Sequence, residues 1–194
     1  MKKILLLSDT HSFLDPRVLG YAEAVDEIWH AGDIGSFEVT DALEKIKPLK
    51  VVYGNIDNAR IRSQFDEDLF FTIEGMCVFM THIGGKPPRY AKGIAEKLER
   101  LKPDIFICGH SHILKVAFDK KHNLLFMNPG AAGKHGFHKK QTMIRFEIEA
   151  GEAKNLVVIE LGDKPRKNLW PAVAPNETGF LSRNKLGFTS KPST

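Results

Sequence analysis

Cysteine is nearly missing from this chain: Cys77 and Cys108 are the only two among 194 residues, each inside an apolar run, "GMCVFMTH" and "DIFICGH". No CxxC pair occurs, which excludes a thiolate zinc site or a dithiol redox motif, and each cysteine reads as a small core residue. No apolar stretch approaches the roughly 20 residues that span a bilayer, so no membrane partner is indicated. The opening "MKKILLLSD" has only a four-residue apolar run before an aspartate, and reads as a first strand rather than an export signal. A reducing cytoplasm is the default expectation. Massed charge is also lacking. The net charge is +4, but the lysines and arginines are scattered, which argues against nucleic acid and suits a small anionic substrate. There are no internal repeats.

What is present is a run of short elements. "KILLLS", "EIWHAGD" and "KVVYGN" read as buried strands, separated by helical stretches around "DPRVLGYAEAVD" and "SFEVTDALEKIK", the latter with Ser36 at its N-cap. This β-α-β-α-β order predicts a parallel sheet. "LFFTIEGMCVFMTH" predicts two strands about a Glu-Gly turn, "PRYAKGIAEKLERLK" an amphipathic helix, and "PDIFICGH" another buried strand. From there to about residue 161 the chain reads as a meander of four strands, so an α/β protein with two sheets is expected. Residues 1–162 form the expected domain. Residues 163–194, rich in Pro, Gly, Asn, Ser and Lys, read as an irregular tail or arm.

Histidine is plentiful, with eight residues, and several close predicted strands. Five strand ends are polar: Asp9 and His11 in "SDTH", Asp33 in "HAGD", Asn55 in "YGNID", His82 in "MTH", and His110 and His112 in "GHSH". The carboxyl ends of parallel strands line a site crevice. In an extended segment, residues i and i+2 point to one side, so Asp9 with His11, and His110 with His112, are each expected to reach one pocket. The glycines before Asp33, Asn55 and His110 permit a sharp turn and a close backbone approach. An Asp/Asn/His set without cysteine suits borderline divalent metals.

The series D-x-H, G-D, G-N-x-D, a lone His and G-H-x-H resembles the calcineurin-like metallophosphoesterases. With the later "NPGA", it looks like the small bacterial and archaeal phosphodiesterase branch, whose fold the retromer small subunit shares. The resemblance covers residues 1–161. It implies a sandwich of two mixed β-sheets flanked by helices, an αββα arrangement, with two divalent metal ions at one edge: manganese first, with iron, nickel, zinc or cobalt as alternatives. Asp9, His11, Asp33 and His112 would hold one ion. Asp33, Asn55, His82 and His110 would hold the other, about 3.5–4 Å away.

The activity implied is hydrolysis of a small or nucleotide-like phosphodiester by a hydroxide bridging the metals, with Asp33, Asn55, His82 and Asp57 as its catalytic set. Asp57 is expected to orient Asn55 or a neighbour. Where many protein phosphatases of the superfamily carry G-N-H-[DE], this chain has "GNID", and Ile56 cannot give a proton to a leaving group. "THIGG" also departs from the usual His-Gly. Asn55, Gly130, His135 and His138 are the expected substrate contacts, His135 or His138 being the candidate replacement donor in a basic loop with Lys134, Lys139 and Lys140. Asn128 is expected to support the site. Arg89 reads as a solvated helix end or a phosphate contact, His30 as a core or supporting residue, and His122 as exposed. A phosphomonoesterase with the same site and a non-catalytic scaffold are the alternatives. A homo-oligomer is left open.

Overall fold

The computed structural model describes residues 1–137 and 139–163, so His138 and the tail from 164 lie outside the described residues. The elements run β1 (Lys2–Leu7), α1 (Pro16–Glu23), β2 (Glu27–His30), α2 (Phe37–Glu44), β3 (Leu49–Val51), α3 (Ala59–Arg62), β4 (Asp68–Ile73) and β5 (Met76–Thr81). They continue with β6 (Gly85–Lys86), β7 (Arg89–Tyr90), α4 (Ile94–Leu101), β8 (Ile105–Ile107), β9 (Lys115–Asp119), β10 (Leu124–Asn128), β11 (Lys140–Glu149) and β12 (Glu152–Asp163).

Two five-stranded mixed sheets form, in the orders β12-β11-β1-β2-β3 and β4-β5-β8-β10-β9. Each has three adjacent parallel strands: β1, β2 and β3, with β3 at the edge, in one, and β5, β8 and β10 at the centre of the other. The parallel first half is therefore as expected, but the predicted meander is divided. β9 and β10 complete the second sheet, whereas β11 and β12 return to pair with β1. Local hairpin signals cannot report this, because antiparallel pairing with β1 joins residues far apart in sequence.

Period-two alternation explains the layers. Ile4 and Leu6 face the second sheet, packing in one cluster with Met80, Ile107 and Met127. Leu5 and Leu7 face the other way, toward Val18 and Ala22 of α1 and Val39 and Leu43 of α2. On the far side of the second sheet, Phe79, Phe106 and Phe126 meet Ile94 and Leu98 of α4. The result is four layers, helix-sheet-sheet-helix. Fully buried Trp29 contacts Phe71 and Phe146 edge-on across the middle, with ring centroids 5.1 and 5.6 Å away. Burial of a side chain of this size contributes about 3 kcal/mol.

The helices start where their capping chemistry allows. Asp15 accepts from the Arg17 N–H ahead of α1, with Pro16 at its first position. Ser36 occupies the cap position of α2 but makes no side-chain cap. The helix predicted from residue 88 begins only at Ile94. Gly93 adopts φ 80 at its N-cap, and residues 85–90 instead form the β6–β7 hairpin around Pro87-Pro88. The amphipathic periodicity holds from Ile94 onward, but the two prolines ahead of it do not continue a helix. Cys108 is buried as expected, whereas Cys77 is only half-buried on β5, next to edge strand β4.

Candidate metal centre

All six parallel strands deliver their carboxyl ends to one edge. Asp9 and His11 follow β1, Asp33 follows β2, Asn55 follows β3, His82 follows β5, His110 and His112 follow β8, and Asn128 ends β10. The paired ligands do not meet by extended i, i+2 geometry, and that expectation is corrected. Asp9, His11, Asp33, His110 and His112 have φ of 55, 47, 53, 67 and 56, all in the left-handed region. β1, β2 and β8 thus each run into a left-handed turn at the sheet edge. Such conformations are disfavoured for non-glycine residues and persist where the surroundings enforce them. Here the Asp9 and His11 N–H groups donate to the carbonyls of Gly32 and Asp33 at 2.9 and 3.0 Å. The His110 N–H donates to both Asp9 carboxylate oxygens at 3.2 and 3.1 Å.

Ligand atoms gather into two groups that share Asp33. Those of Asp9, His11, Asp33 and His112 all lie within 4.8 Å of one another, as do those of Asp33, His82 and His110. His112 Nε2 is 3.2 Å from Asp9 Oδ1, and His11 Nε2 is 3.5 Å from Asp33 Oδ2. His82 supplies the decisive test of fit. Its Nδ1 lies 2.7 Å from the Ala31 carbonyl, which can only accept, so Nδ1 carries the proton. Nε2 is then left bare, buried and without a hydrogen-bond partner, 3.1 Å from Asp33 Oδ1. Two electron-rich atoms held this close need a cation or a proton between them. A histidine with one nitrogen on a backbone carbonyl and the other free is the usual posture of a metal ligand. The donor set of imidazole and carboxylate suits a borderline divalent ion.

The two carboxylates favour positive charge at this point, a proton on His82 or a bound cation in its place. Burial alone would lower the His82 pKa, but Asp33 and Asp9 outweigh it and the net shift is upward. Burial would raise the Asp33 carboxyl, but His82, the Ile56 N–H and His11 hold it below the usual carboxylate range. Burial lowers His11, against the attraction of Asp33 and Asp9.

The surrounding residues sort themselves by contact. Asp57 bonds to backbone rather than to the Asn55 side chain. It accepts from the N–H groups of Ile34, Gly35 and Gly54 at 3.2, 2.7 and 2.7 Å, locking the loop after β2 to the loop after β3. It is a positioning residue. Arg62, which no spacing rule pointed to, clamps the same loop by donating to the carbonyls of Asp57 and Asn55 at 2.7 and 2.9 Å. Asn128 supports the site as expected: its Nδ2 donates to the Gly109 carbonyl at 2.8 Å and its Oδ1 accepts from the Gly130 N–H at 2.9 Å. Gly130 is buried behind this contact rather than on the cavity wall.

His30 is a buried supporting residue. It accepts from the Gly32 N–H and donates to Thr10, and burial pushes its pKa down to about 4. The expectation for His122 is corrected, because its side chain is only 5% exposed and pairs with Asp119 at 2.6 Å. Asn55 and Ile56 are exposed and line a cavity of about 510 Å³ with His11, Asp33, His110 and His112. His135 lines it too, stacked on His11 with centroids 4.8 Å apart. Its segment is held at the rim by Ala132 and Gly133, whose N–H groups donate to the carbonyls of Ser8 and Asp9.

Residues 1–151 match the model of the calcineurin-like phosphoesterase superfamily domain. The chain belongs to that superfamily. A probable metallophosphoesterase of Methanothermobacter thermautotrophicus is 28% identical over 135 residues, 65% of this chain and 74% of that relative. Among solved structures, wild-type Vps29 of Entamoeba histolytica complexed with zinc superimposes with a TM-score of 0.64 at 18% identity, over 81% of this chain and 98% of that one. A novel archaeal phosphodiesterase does so with 0.61 at 22% identity, over 81% of this chain and 99% of that one. The fold is thus the Vps29-like metallophosphoesterase fold, and the chain is a probable metallophosphoesterase with a candidate His/Asp metal site. Among the described residues, no helix is long and apolar enough to cross a membrane.

Proposed function

We propose that this protein is a metal-dependent phosphodiesterase acting on a small or nucleotide-like phosphodiester. One observation carries the reading: Asp33 is common to two ligand groups, and the buried His82 Nε2 faces its carboxylate at 3.1 Å without a hydrogen bond. Asp9, His11, Asp33 and His112 would hold one divalent ion, and Asp33, His82 and His110, with the Asn55 carboxamide, the other. Such a pair supplies charge stabilisation for the phosphoryl oxygens and acidifies an attacking water.

The chain's own residues do the rest. Asp57 and Arg62 hold Asn55 and Ile56 at the cavity wall against the Asp33 carboxylate, whose Oδ1 accepts from the Ile56 N–H at 3.1 Å. Ile56 offers no proton there, which favours esters with good leaving groups. His135, which lines the same cavity and stacks on His11, is the candidate to protonate the leaving oxygen. The retained ligand geometry argues against a purely non-catalytic scaffold, which has no use for strained backbone at five ligand positions. The similarity to an archaeal phosphodiesterase supports the diester over the monoester.

The test is to strip the protein with a chelator, restore manganese, and assay bis(p-nitrophenyl) phosphate beside p-nitrophenyl phosphate. Diester turnover should disappear and return, and should exceed that of the monoester. Hydrolysis indifferent to metal would refute the reading, and faster monoester turnover would move it to a phosphomonoesterase. His135→Ala should slow a diester with a poor leaving group more than one with a good leaving group.

A further inference from the structure

A second cavity, about 220 Å³, opens beside the metal centre and shares His110, Ser111 and Ile113 with the first. Its other walls bring together Lys86, Arg89 and Lys115, and no aspartate or glutamate lines it. Among the described residues, none of these three cations is in an ion pair. Lys86 and Arg89 are direct cross-strand partners in the β6–β7 hairpin. Like charges placed opposite one another destabilise a strand pair, and a bound anion relieves that repulsion.

The walls are fixed in place rather than left to drift. Tyr90, next to Arg89, donates to Asp119 Oδ2 at 2.5 Å, and Asp119 ends the strand that begins with Lys115. His122 backs the same carboxylate at 2.6 Å and meets the Tyr90 ring edge-on. From the other side, Lys115 pairs in register with Asn128, whose Nδ2 holds the Gly109 carbonyl beside His110. The hairpin, β9 and the metal rim are therefore joined by short hydrogen bonds, as a preorganised site requires. The Tyr90–Asp119–His122 cluster, which the chemistry at the metals does not use, acquires a purpose as the strut of this pocket.

We propose that the Lys86–Arg89–Lys115 cavity is an anion subsite, and that the natural substrate carries a second anionic group, a phosphate or a carboxylate, beyond the ester that is cleaved. The inference deepens the phosphodiesterase reading and rests on it for which ester is broken. The cavity's volume fits one such group with a short tether, and its junction with the main cavity at His110 and Ser111 sets the direction of that tether.

The test uses pairs of esters differing only in a terminal charge. Manganese-loaded protein is given 4-nitrophenyl ω-carboxyalkyl phosphates of increasing chain length, each beside the 4-nitrophenyl alkyl phosphate of equal length. At the best length, kcat/KM should favour the carboxylate by about tenfold or more, and in the Lys86→Ala/Arg89→Ala double variant that ratio should fall close to one. No preference at any length, or a preference that survives the double substitution, overturns the subsite. Calorimetric titration with ω-carboxyalkyl phosphates and matched alkyl phosphates reads the same advantage as binding, without turnover. If neither ester is hydrolysed but the carboxylate still binds about tenfold tighter, and the double variant loses this, the subsite stands and the phosphodiesterase reading falls. Equal binding of the two probes overturns the subsite whatever the activity.

Discussion

The two ends of the sandwich use the same backbone conformation for different purposes. At the rim, Asp9, His11, Ser12, Asp33, His110 and His112 all have φ between 47 and 67. At the opposite end, Glu74-Gly75 and Ala150-Gly151 are also left-handed, and the two turns touch through the Gly151 N–H and the Glu74 carbonyl at 2.8 Å. There the conformation is the natural one for two-residue hairpin turns, because paired positive φ matches the twist of the strands. At the rim no hairpin asks for it. The left-handed residues there carry polar and ligand side chains, and at about 1 kcal/mol or more apiece the strain is held by the surrounding hydrogen bonds. One end is optimised for chain reversal, and the other gives up local stability to aim side chains.

That contrast can be broken most severely at Asp33. Asp33→Asn should lower metal-dependent diester turnover at least about 1,000-fold and reduce bound metal measured by mass spectrometry, because one carboxylate serves both ligand groups. Glu74→Ala, at the turn end, should change stability by under about 0.5 kcal/mol, since its ion pair with the N-terminus is exposed on both sides.

The next largest effect concerns pH. His30 sits neutral and fully buried at the rim end of β2, with its pKa depressed to about 4 from an ordinary 6.5. Between those values the unfolded chain binds a proton that the folded chain refuses. Stability is therefore full above about pH 6.5 and falls as the pH drops toward 4, by up to about 3 kcal/mol. Chaotrope unfolding of metal-free protein at several pH values should show this slope, and His30→Gln should flatten it. An equal slope in that variant would assign the pH dependence to other groups.

A pair of alanine substitutions compares the ends directly. A Cβ on Gly54 would lie 2.1 Å from Asp33 Oδ1, where neither the carboxylate nor the locked loop has room to yield. Gly54→Ala should cost about 2–3 kcal/mol in unfolding free energy and displace Asp33, so activity should fall with it. A Cβ on Gly151 would meet nothing within 4 Å, leaving only the strain of φ +81. Gly151→Ala should cost about 1 kcal/mol and leave metal binding intact. Comparable losses in the two variants would mean that the rim is no more tightly built than the turn end.

Much of the rim was legible residue by residue. Asp9, His11, Asp33, His82, His110 and His112 were identifiable because each directly follows an apolar run, and strand ends are local features. The roles of Gly54 and Gly109 were only half legible. Neither has positive φ; each is bare because its neighbour needs the space, Asp33 Oδ1 at 2.1 Å for Gly54 and Ser8 Oγ at 2.1 Å for Gly109. Arg62 and Thr10 gave no signal at all. Arg62 and, besides the His30 ring, Thr10 bond to backbone carbonyls, and a carbonyl looks the same in every residue. His122 misled because a "KKHN" turn reads as solvated, while Tyr90 and Asp119 reach it from two other strands.

The sandwich followed from the family resemblance, while composition, strand periodicity and the polar residue closing each apolar run were enough to indicate an α/β protein with two sheets and the candidate ligand types at its strand ends. These are short-range properties, written within a few residues of one another. The division of the ligands into two groups about Asp33 came from the family resemblance and not from local pattern, and how Lys86, Arg89 and Lys115 come to face one cavity required the fold. Those arrangements depend on strand register and on hydrogen bonds between segments dozens of residues apart, where local pattern carries no information about distance.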